Sequence, residues 1–267
     1  MACDITVAVA THKAYRMPTD GVYMPLQVGK ALYPQVDLGM KCDNDGDNIS
    51  SLNAQYSELT GLYWLWKNCS SRYQGLVHYR RHFAKSDSPK LYGNEDERFA
   101  AVAQRNDYET LLDDAEIIVP TERKYYIETV YSHYEHTMRE GQLDATRKII
   151  AESTPEYLDA FDVQMDRNSA HLFNMFIMRK DLLDEYCSWM FPIVGELTKR
   201  IDSSDYTPFE LRYPGRISEI LLDVWLNTKR YPYAEMPIVS PEPVDWMKKG
   251  TGFLMAKFVG KKYVKSC

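Results

Sequence analysis

The segment GLVHYRRHF, residues 75–83, brings His78, Tyr79, Arg80 and Arg81 together after an apolar run. The apolar run is typical of a buried strand, and ligands of open α/β sheets bind beyond the carboxyl ends of strands. Guanidinium groups at such a place can form forked, charge-assisted hydrogen bonds with phosphate oxygens. The segment therefore predicts a phosphate site, with a structural ion-pair cluster as the alternative. Because strand residues alternate between faces, we expect one of the two arginines to reach the ligand.

A second candidate is the acidic stretch DNDGD at residues 43–47. Its carboxylates alternate as in a calcium loop, but the sixth position lacks glycine and Ala54 stands where the loop needs a bidentate glutamate. A solvated turn is the alternative interpretation.

Two histidines, His133 and His136, are three residues apart and would share one face of a helix. They could bind a metal or sugar hydroxyls, or have a structural role. Glu219 comes early in a predicted helix, where it could act as a general base in a cleft. Alternatively, the dipole of that helix stabilises its carboxylate.

Composition and missing motifs exclude several classes of protein. The chain has 267 residues and a net charge of −6, which argues against a general nucleic-acid binder. It contains no Gly-rich dinucleotide fingerprint, Walker loop, HExxH or GxSxG motif. The five cysteines have no metal-binding spacing and predict reduced thiols in a cytoplasmic protein.

The termini give weaker signals. Neither a signal peptide nor an apolar run of membrane-spanning length is predicted. The basic tail at 260–267 could contact an anionic membrane surface or remain a solvated tail.

Hydrophobic periodicity predicts alternating strands and helices. The predicted strands are 4–10, 73–81, 116–120 and 171–180, and the predicted helices are 53–68, 108–115, 141–167, 180–201 (kinked at Pro192) and 216–228. Residues 84–100 are predicted to be a charged loop. This order predicts an α/β fold with a largely parallel sheet.

Five segments, SELTGLYWLWKN, GLVHYRRHF, the His136 region, LFNMFIM and RISEILLDVWL, occur in this order. Together they resemble a family of bacterial capsular and exopolysaccharide glycosyltransferases, formerly catalogued as a domain of unknown function. The resemblance implies one GT-A-like, Rossmann-type α/β domain over 1–267, with a mostly parallel central sheet flanked by helices. It divides the chain into a donor-binding half at 1–120, an acceptor and catalytic half at 121–230, and a tail at 231–267.

The resemblance also implies an activity. It is the inverting transfer of a hexose, with galactose and galactofuranose as candidates, from a UDP-sugar to a growing polysaccharide or lipid-linked oligosaccharide. The protein would work in the cytoplasm, in peripheral contact with the inner membrane face. The alternatives are a non-catalytic carbohydrate- or nucleotide-binding subunit of a polysaccharide assembly complex, and a phosphate-ester hydrolase. The hydrolase would use the His and Arg cluster and would need metal ligands or a nucleophile near 78–82, where the sequence has no Asp or Cys.

The resemblance assigns roles to particular residues. The donor residues would be Thr11, His12, Lys13, Glu58, Lys67, His78, Tyr79, Arg80 and Arg81, with Thr60, Trp64 and Asn68 in the same helix motif as Glu58 and Lys67. The acceptor residues would be His133, His136 and Asn174, and the base would be Glu219, with Glu210 and Asp205 as rivals. The 78–81 segment stands where such enzymes carry a metal-binding Asp-x-Asp, so we expect no metal. The alternative is Mn²⁺ or Mg²⁺ held by Asp43, Asp45 and Asp47.

Overall fold

The computed structural model describes residues 4–85 and 93–242, and all structural statements refer to these two ranges. The strands are β1 (Ile5–Thr11), β2 (Tyr23–Gln27), β3 (Lys41–Cys42), β4 (Tyr73–His78), β5 (His82–Phe83), β6 (Ile117–Pro120), β7 (Arg123–Lys124), β8 (Ser169–Ala170), β9 (Phe176–Arg179), β10 (Tyr233–Met236) and β11 (Ile238–Val239). Seven of them form the main sheet in the order β10-β6-β9-β4-β1-β2-β3. Two small sheets pair β5 with β11 and β7 with β8.

The helices lie on both faces of the main sheet. They are α1 (Asn53–Tyr56), α2 (Leu59–Asn68), α3 (Glu95–Ala100), α4 (Arg105–Leu112), α5 (Val130–Thr137), α6 (Gln142–Ser153), α7 (Leu158–Asp166), α8 (Lys180–Arg200) and α9 (Tyr213–Lys229). Ala8 and Ala10 of β1 point into a large core with α1, α2 and α5 to α9, and Val7 and Val9 point into a smaller core with α4. No helix of the described residues is long and apolar enough to cross a membrane.

The sheet is mostly parallel, and β9 is the exception. β9 runs antiparallel to both of its neighbours, β4 and β6, whereas the other neighbouring pairs are parallel. The predicted α/β fold with a mostly parallel sheet flanked by helices is therefore confirmed. Because β9 belongs to the 121–230 half and lies between two strands of the 1–120 half, the two halves share one sheet.

Several predicted elements have different bounds in the structure. The predicted helix 53–68 is wrong as one helix, because Ser57 adopts φ 50° and separates α1 from α2. The predicted strand 171–180 starts only at Phe176, since Phe173 and Asn174 also have positive φ. Part of the predicted loop 84–100 is α3, which begins with a capping box formed by Asn94 and Glu97.

Two predicted helical regions agree with the structure. Helix α8 forms over the predicted range, and the helical prediction for 141–167 is met by α6, a 3₁₀ turn and α7. Cys42, Cys69 and Cys187 are free thiols. The other two cysteines and the basic tail at 260–267 lie outside the described residues.

The close approach of β4 and β9 predicts that Gly75→Ala destabilises the fold. A Cβ at this position would lie 2.7 Å from the Phe176 carbonyl oxygen and from Ile177 Cγ1. We expect urea unfolding to show a loss of about 1–3 kcal/mol, the usual cost of overpacking. Gly21→Ala is the matched control, because its Cβ would meet no atom within 4 Å. Equal losses in the two variants would contradict the explanation.

Candidate active site

A cleft of about 1460 Å³ opens beyond the carboxyl ends of β1, β4 and β6. Its lining contains eight cationic side chains, Lys13, Arg80, Arg81, Arg98, Arg123, Lys124, Arg212 and Arg216, and two carboxylates, Glu58 and Glu219. The whole chain has a net charge of −6, so this excess of positive charge is local. A cleft with one dominant sign of charge concentrates ligands of the opposite sign, and this one suits a polyanionic ligand.

The two arginines of the 78–81 segment lie on a tight turn. Strand β4 ends at His78, and the backbone bonds between His78 and Arg81 measure 3.1 and 3.0 Å. Strand alternation therefore stops before the arginines, and both Arg80 and Arg81 line the cleft. The alternation from which a single ligand-facing arginine was expected is therefore absent at these two residues, and contact of either one with the ligand stays a prediction. The Arg80 guanidinium lies 5.1 Å from the ring centroid of Tyr79, its neighbour in the turn.

The loop before β9 lines the cleft through Leu172 and Phe173. Phe173 has φ 77°, a left-handed conformation that is rare for a bulky residue. Its N–H donates to Glu219 Oε2 at 3.0 Å, and its carbonyl accepts from His78 Nε2. Its ring lies 4.2 Å from the Arg81 guanidinium. One residue thus contacts the turn of β4 and the carboxylate of α9.

Asn174, the next residue, connects Glu58 with α9. It is buried, and its amide donates to Glu58 Oε1 at 2.8 Å and to the Gly215 carbonyl at 3.0 Å. Its amide oxygen accepts from the Ser218 hydroxyl at 2.8 Å. Asn174 therefore positions a carboxylate of the cleft and does not itself line the cleft.

Glu219 lies in the middle of α9 and not in its first turn, because the helix starts at Tyr213, three residues before the predicted start. Helix-dipole stabilisation therefore does not explain its position. It is buried, yet it lines the cleft. Besides Phe173, its carboxylate contacts Arg216 at 3.3 Å. The group is thus held in one orientation at the cleft surface.

Glu58 is the second carboxylate of the cleft. Burial raises its pKa, but His78, Arg212 and the Asn174 hydrogen bond outweigh burial, so its pKa lies below the ordinary value. Burial lowers the pKa of His78, against the opposing effect of Glu58. The Phe173 carbonyl requires a donor at His78 Nε2, which the neutral Nε2–H tautomer and the imidazolium both supply.

The two predicted acceptor histidines share one partner. Glu128 accepts from His133 Nδ1 at 2.8 Å and from His136 Nδ1 at 2.9 Å. His133 also stacks on Tyr125, with ring centroids 4.3 Å apart, and it lines the cleft. His136 is 68% exposed and is not part of the lining. The structure therefore brings His133 to the cleft and leaves His136 outside it.

The remaining donor candidates fall into two groups. His12 and Lys13 line the cleft, and the buried Thr11 hydroxyl donates to the Lys13 carbonyl at 2.7 Å, which shapes the end of β1. Lys67 is exposed outside the cleft, with its Nζ 3.3 Å from the Trp66 ring centroid. The rival bases Glu210 and Asp205 are also absent from the cleft lining.

The acidic stretch at 43–47 packs against α2. The buried Asp43 carboxylate accepts from the backbone N–H groups of Gly29 and Lys30 and from the hydroxyls of Ser50 and Thr60. Farther along, the Trp64 indole and the Asn68 amide donate to backbone carbonyls of the stretch. The helix motif that contains Thr60, Trp64 and Asn68 thus holds this turn in place.

Neither the stretch nor the cleft presents a grouped set of acidic ligands for a divalent metal. Within residues 4–85 and 93–242, no group of three or more His, Cys, Asp or Glu side chains is placed to hold one. Hard divalent cations require several oxygen ligands, and both carboxylates of the cleft are already bonded to the protein. The residues present therefore do not fit an acidic metal site.

Sequence reasoning missed five cations of the lining. Arg123 and Lys124 follow the carboxyl end of β6, where the rule that selected residues 78–81 applies equally. Arg212 and Arg216 flank the start of α9, and Arg98 lies in α3. No strand precedes these last three, so no comparable signal could have identified them.

Comparison with known proteins adds two findings. Among solved structures, the chain is similar to the WbbM bifunctional glycosyltransferase in its apo form, with 28% identity and a TM-score of 0.78 over 89% of this chain and 45% of that one. This likeness supports a GT-A-like fold, but the chain spans less than half the length of that protein. No curated protein matches the chain. The family model described as "Domain of unknown function (DUF4422)" matches residues 6–230, and the chain therefore belongs to the DUF4422 family.

Proposed function

We propose that this protein is a glycosyltransferase that takes a sugar from a nucleotide-diphosphate donor. The main support is the cationic cleft at the carboxyl ends of β1 and β4, with eight Lys or Arg side chains against two carboxylates. A sugar transferase must bind the diphosphate and stabilise the charge that it gains on leaving. The likeness to a bifunctional glycosyltransferase points to the same chemistry.

The donor diphosphate would lie against the turn of residues 78–81. Arg80 and Arg81 both line the cleft there, next to His12 and Lys13 at the end of β1. Arginine pairs with phosphate oxygens through two parallel hydrogen bonds. Fixed cations aimed at the leaving oxygen stabilise charge that develops in the transition state. In this proposal they replace the divalent metal, and the donor is a UDP-sugar.

Glu219 would be the general base. The acceptor hydroxyl attacks the anomeric carbon, and a new C–O bond forms as the bond from that carbon to the diphosphate oxygen breaks. The hydroxyl proton passes to Glu219, and the nucleoside diphosphate leaves with the electron pair. Phe173 and Arg216 orient the carboxylate for this step. Attack opposite the leaving group inverts the anomeric centre. Glu58, which also lines the cleft, is a rival.

The acceptor would lie across the cleft from the turn. β6 is two strands from β4 in the sheet, a separation of about 10 Å, and His133 and Tyr125 line that side. We propose a glycan or lipid-linked glycan acceptor and galactose or galactofuranose as the transferred sugar, with the protein acting in the cytoplasm.

The alternative, a non-catalytic nucleotide- or carbohydrate-binding subunit, would use the same cleft without the base. A Glu219 variant separates the two, because only catalysis requires this carboxylate.

The first prediction concerns donor binding. Calorimetry should show UDP binding that is unchanged by EDTA and weakened about tenfold to a hundredfold in Arg80→Ala or Arg81→Ala, the loss of one charge-assisted bond. Arg147→Ala is the matched control, since Arg147 pairs with Asp162 on the surface away from the cleft. Binding that requires manganese would overturn the metal-free proposal. An absence of UDP binding would overturn the donor assignment.

The second prediction concerns the base. Glu219→Gln should lower kcat about 100-fold to 10,000-fold and leave the Kd for UDP unchanged, because the amide keeps the size of the side chain and can still accept from the Phe173 N–H. UDP release from UDP-galactose and UDP-galactofuranose would be measured, with a bacterial lipid extract as the acceptor source. Glu210→Gln is the control and should keep full kcat, because Glu210 does not line the cleft. The same result would exclude Glu210 as the base. Full turnover in Glu219→Gln would rule out this role.

A further inference from the structure

The segment from Arg123 to Ile127, called the rim segment below, consists of β7 and the turn that follows it. It presents apolar side chains to solvent at the mouth of the cleft. Tyr126 is 85% exposed and Ile127 is 65% exposed, the two highest values among the large hydrophobic residues in the described part of the chain. Tyr126 also lines the cleft. Single exposed apolar residues are ordinary, but two adjacent ones at the mouth of a site need an explanation.

The rim segment is held in place by β8 and by His133 of α5. β7 pairs with β8, and the Tyr125 N–H donates to the Asn168 carbonyl at 2.7 Å. The Tyr125 ring stacks on His133, and the Ile127 N–H donates to the Tyr125 carbonyl across a tight turn. The two exposed side chains are therefore presented by a defined backbone.

The backbone of this turn is strained. Tyr126 has φ 40°, in a region that Asn and Gly tolerate and bulky residues avoid. Such strain persists where the surroundings impose it, and it concentrates at functional positions. The fold therefore accepts an unfavourable conformation that places a large aromatic ring in water.

The exposed charged side chains of the rim segment are all positive. Arg123 and Lys124 are exposed at the edge of the cleft, which they also line. The neighbouring carboxylates are engaged with the protein: Glu122 binds Arg167 at 2.5 Å and the Ser169 hydroxyl at 2.7 Å, and Glu128 binds two histidines. Exposed cations next to an exposed aromatic and an aliphatic side chain match the surface of an anionic bilayer, where aromatic rings lie at the headgroup level and cations meet lipid phosphates.

We propose that the rim segment docks the protein on an anionic lipid surface, with Tyr126 and Ile127 inserted among the headgroups and Arg123 and Lys124 against their phosphates. Docking through this edge turns the mouth of the cleft toward the membrane, where an acceptor attached to lipid would present its sugar hydroxyl. The basic tail at 260–267, which the sequence suggested for this contact, lies outside the described residues. Docking through the rim segment does not depend on which sugar is transferred.

The test is co-sedimentation of the full chain with vesicles of phosphatidylglycerol and phosphatidylethanolamine, compared with phosphatidylcholine vesicles. Wild-type protein should bind the anionic vesicles, and added salt should weaken binding because it screens the cations. The Tyr126→Asn, Ile127→Asn double variant should lower the partition coefficient about tenfold or more, since burial of each large side chain contributes substantially to membrane affinity. Val163→Ser is the matched control, because Val163 is 61% exposed on α7 and is not part of the cleft lining.

A second measurement separates loss of binding from misfolding. Tyr126→Asn should raise the thermal unfolding midpoint, because Asn tolerates positive φ, while vesicle binding falls. The proposal would be overturned if the wild-type protein failed to bind anionic vesicles, or if the double variant bound them as strongly as the wild type. A variant that keeps vesicle binding but loses transfer to a soluble glycan would also overturn it and would assign Tyr126 to the acceptor. UDP affinity, measured without vesicles, tests the transferase proposal separately.

Discussion

The backbone of Phe173 is the constraint on which the candidate active site depends. Its N–H fixes Glu219, its carbonyl fixes His78, and its ring lies beside the Arg81 guanidinium. The left-handed conformation costs about 1–3 kcal/mol. A hydrogen bond to a charged group contributes about 1.5–3 kcal/mol, so the bond to Glu219 can offset much of this cost. An extended backbone at Phe173 would aim the N–H and the carbonyl in other directions and separate the base candidate from the cationic turn.

The same loop explains how positive charge accumulates in an acidic protein. The two carboxylates of the cleft pair with two of its cations, Glu58 with Arg212 at 4.0 Å and Glu219 with Arg216 at 3.3 Å, and they also accept from Asn174 and Phe173. The cations of the turn at 78–81 instead contact aromatic rings, Tyr79 and Phe173. Arginine above an aromatic ring keeps its hydrogen-bond donors available at the ring edge. The cleft therefore keeps donors for an anion although the whole chain is negatively charged.

Hydrophobic periodicity in the sequence was sufficient to predict several strands and helices. Apolar alternation and helical spacing located β1, β6, α8 and α9, and the rule on strand ends located the cleft at residues 78–81. Features set by tertiary contacts were not predictable. Nothing in LFNMFIM shows that Phe173 and Asn174 leave the strand, because the donors and acceptors that impose positive φ come from β4 and α9. Asp43 resembled a metal ligand because the carboxylates of residues 43–47 alternate. Its actual partners could not be predicted, because its four hydrogen-bond donors, in Gly29, Lys30, Ser50 and Thr60, are scattered along the sequence.

Backbone strain marks the site independently of charge. In the described ranges, five residues other than glycine have positive φ: Ser57, Tyr126, Phe173, Asn174 and Arg230. Arg230 ends α9, where a left-handed residue is common. Ser57, Tyr126 and Phe173 line the cleft, and Asn174 holds Glu58. Ser57 breaks the helix just before Glu58, and its hydroxyl accepts from Arg212 at 2.8 Å. Selection for stability alone would favour glycine or asparagine at such positions. Residues other than glycine and asparagine stand at three of the four strained positions at the cleft, because the contacts that impose the strain also set the geometry of the site.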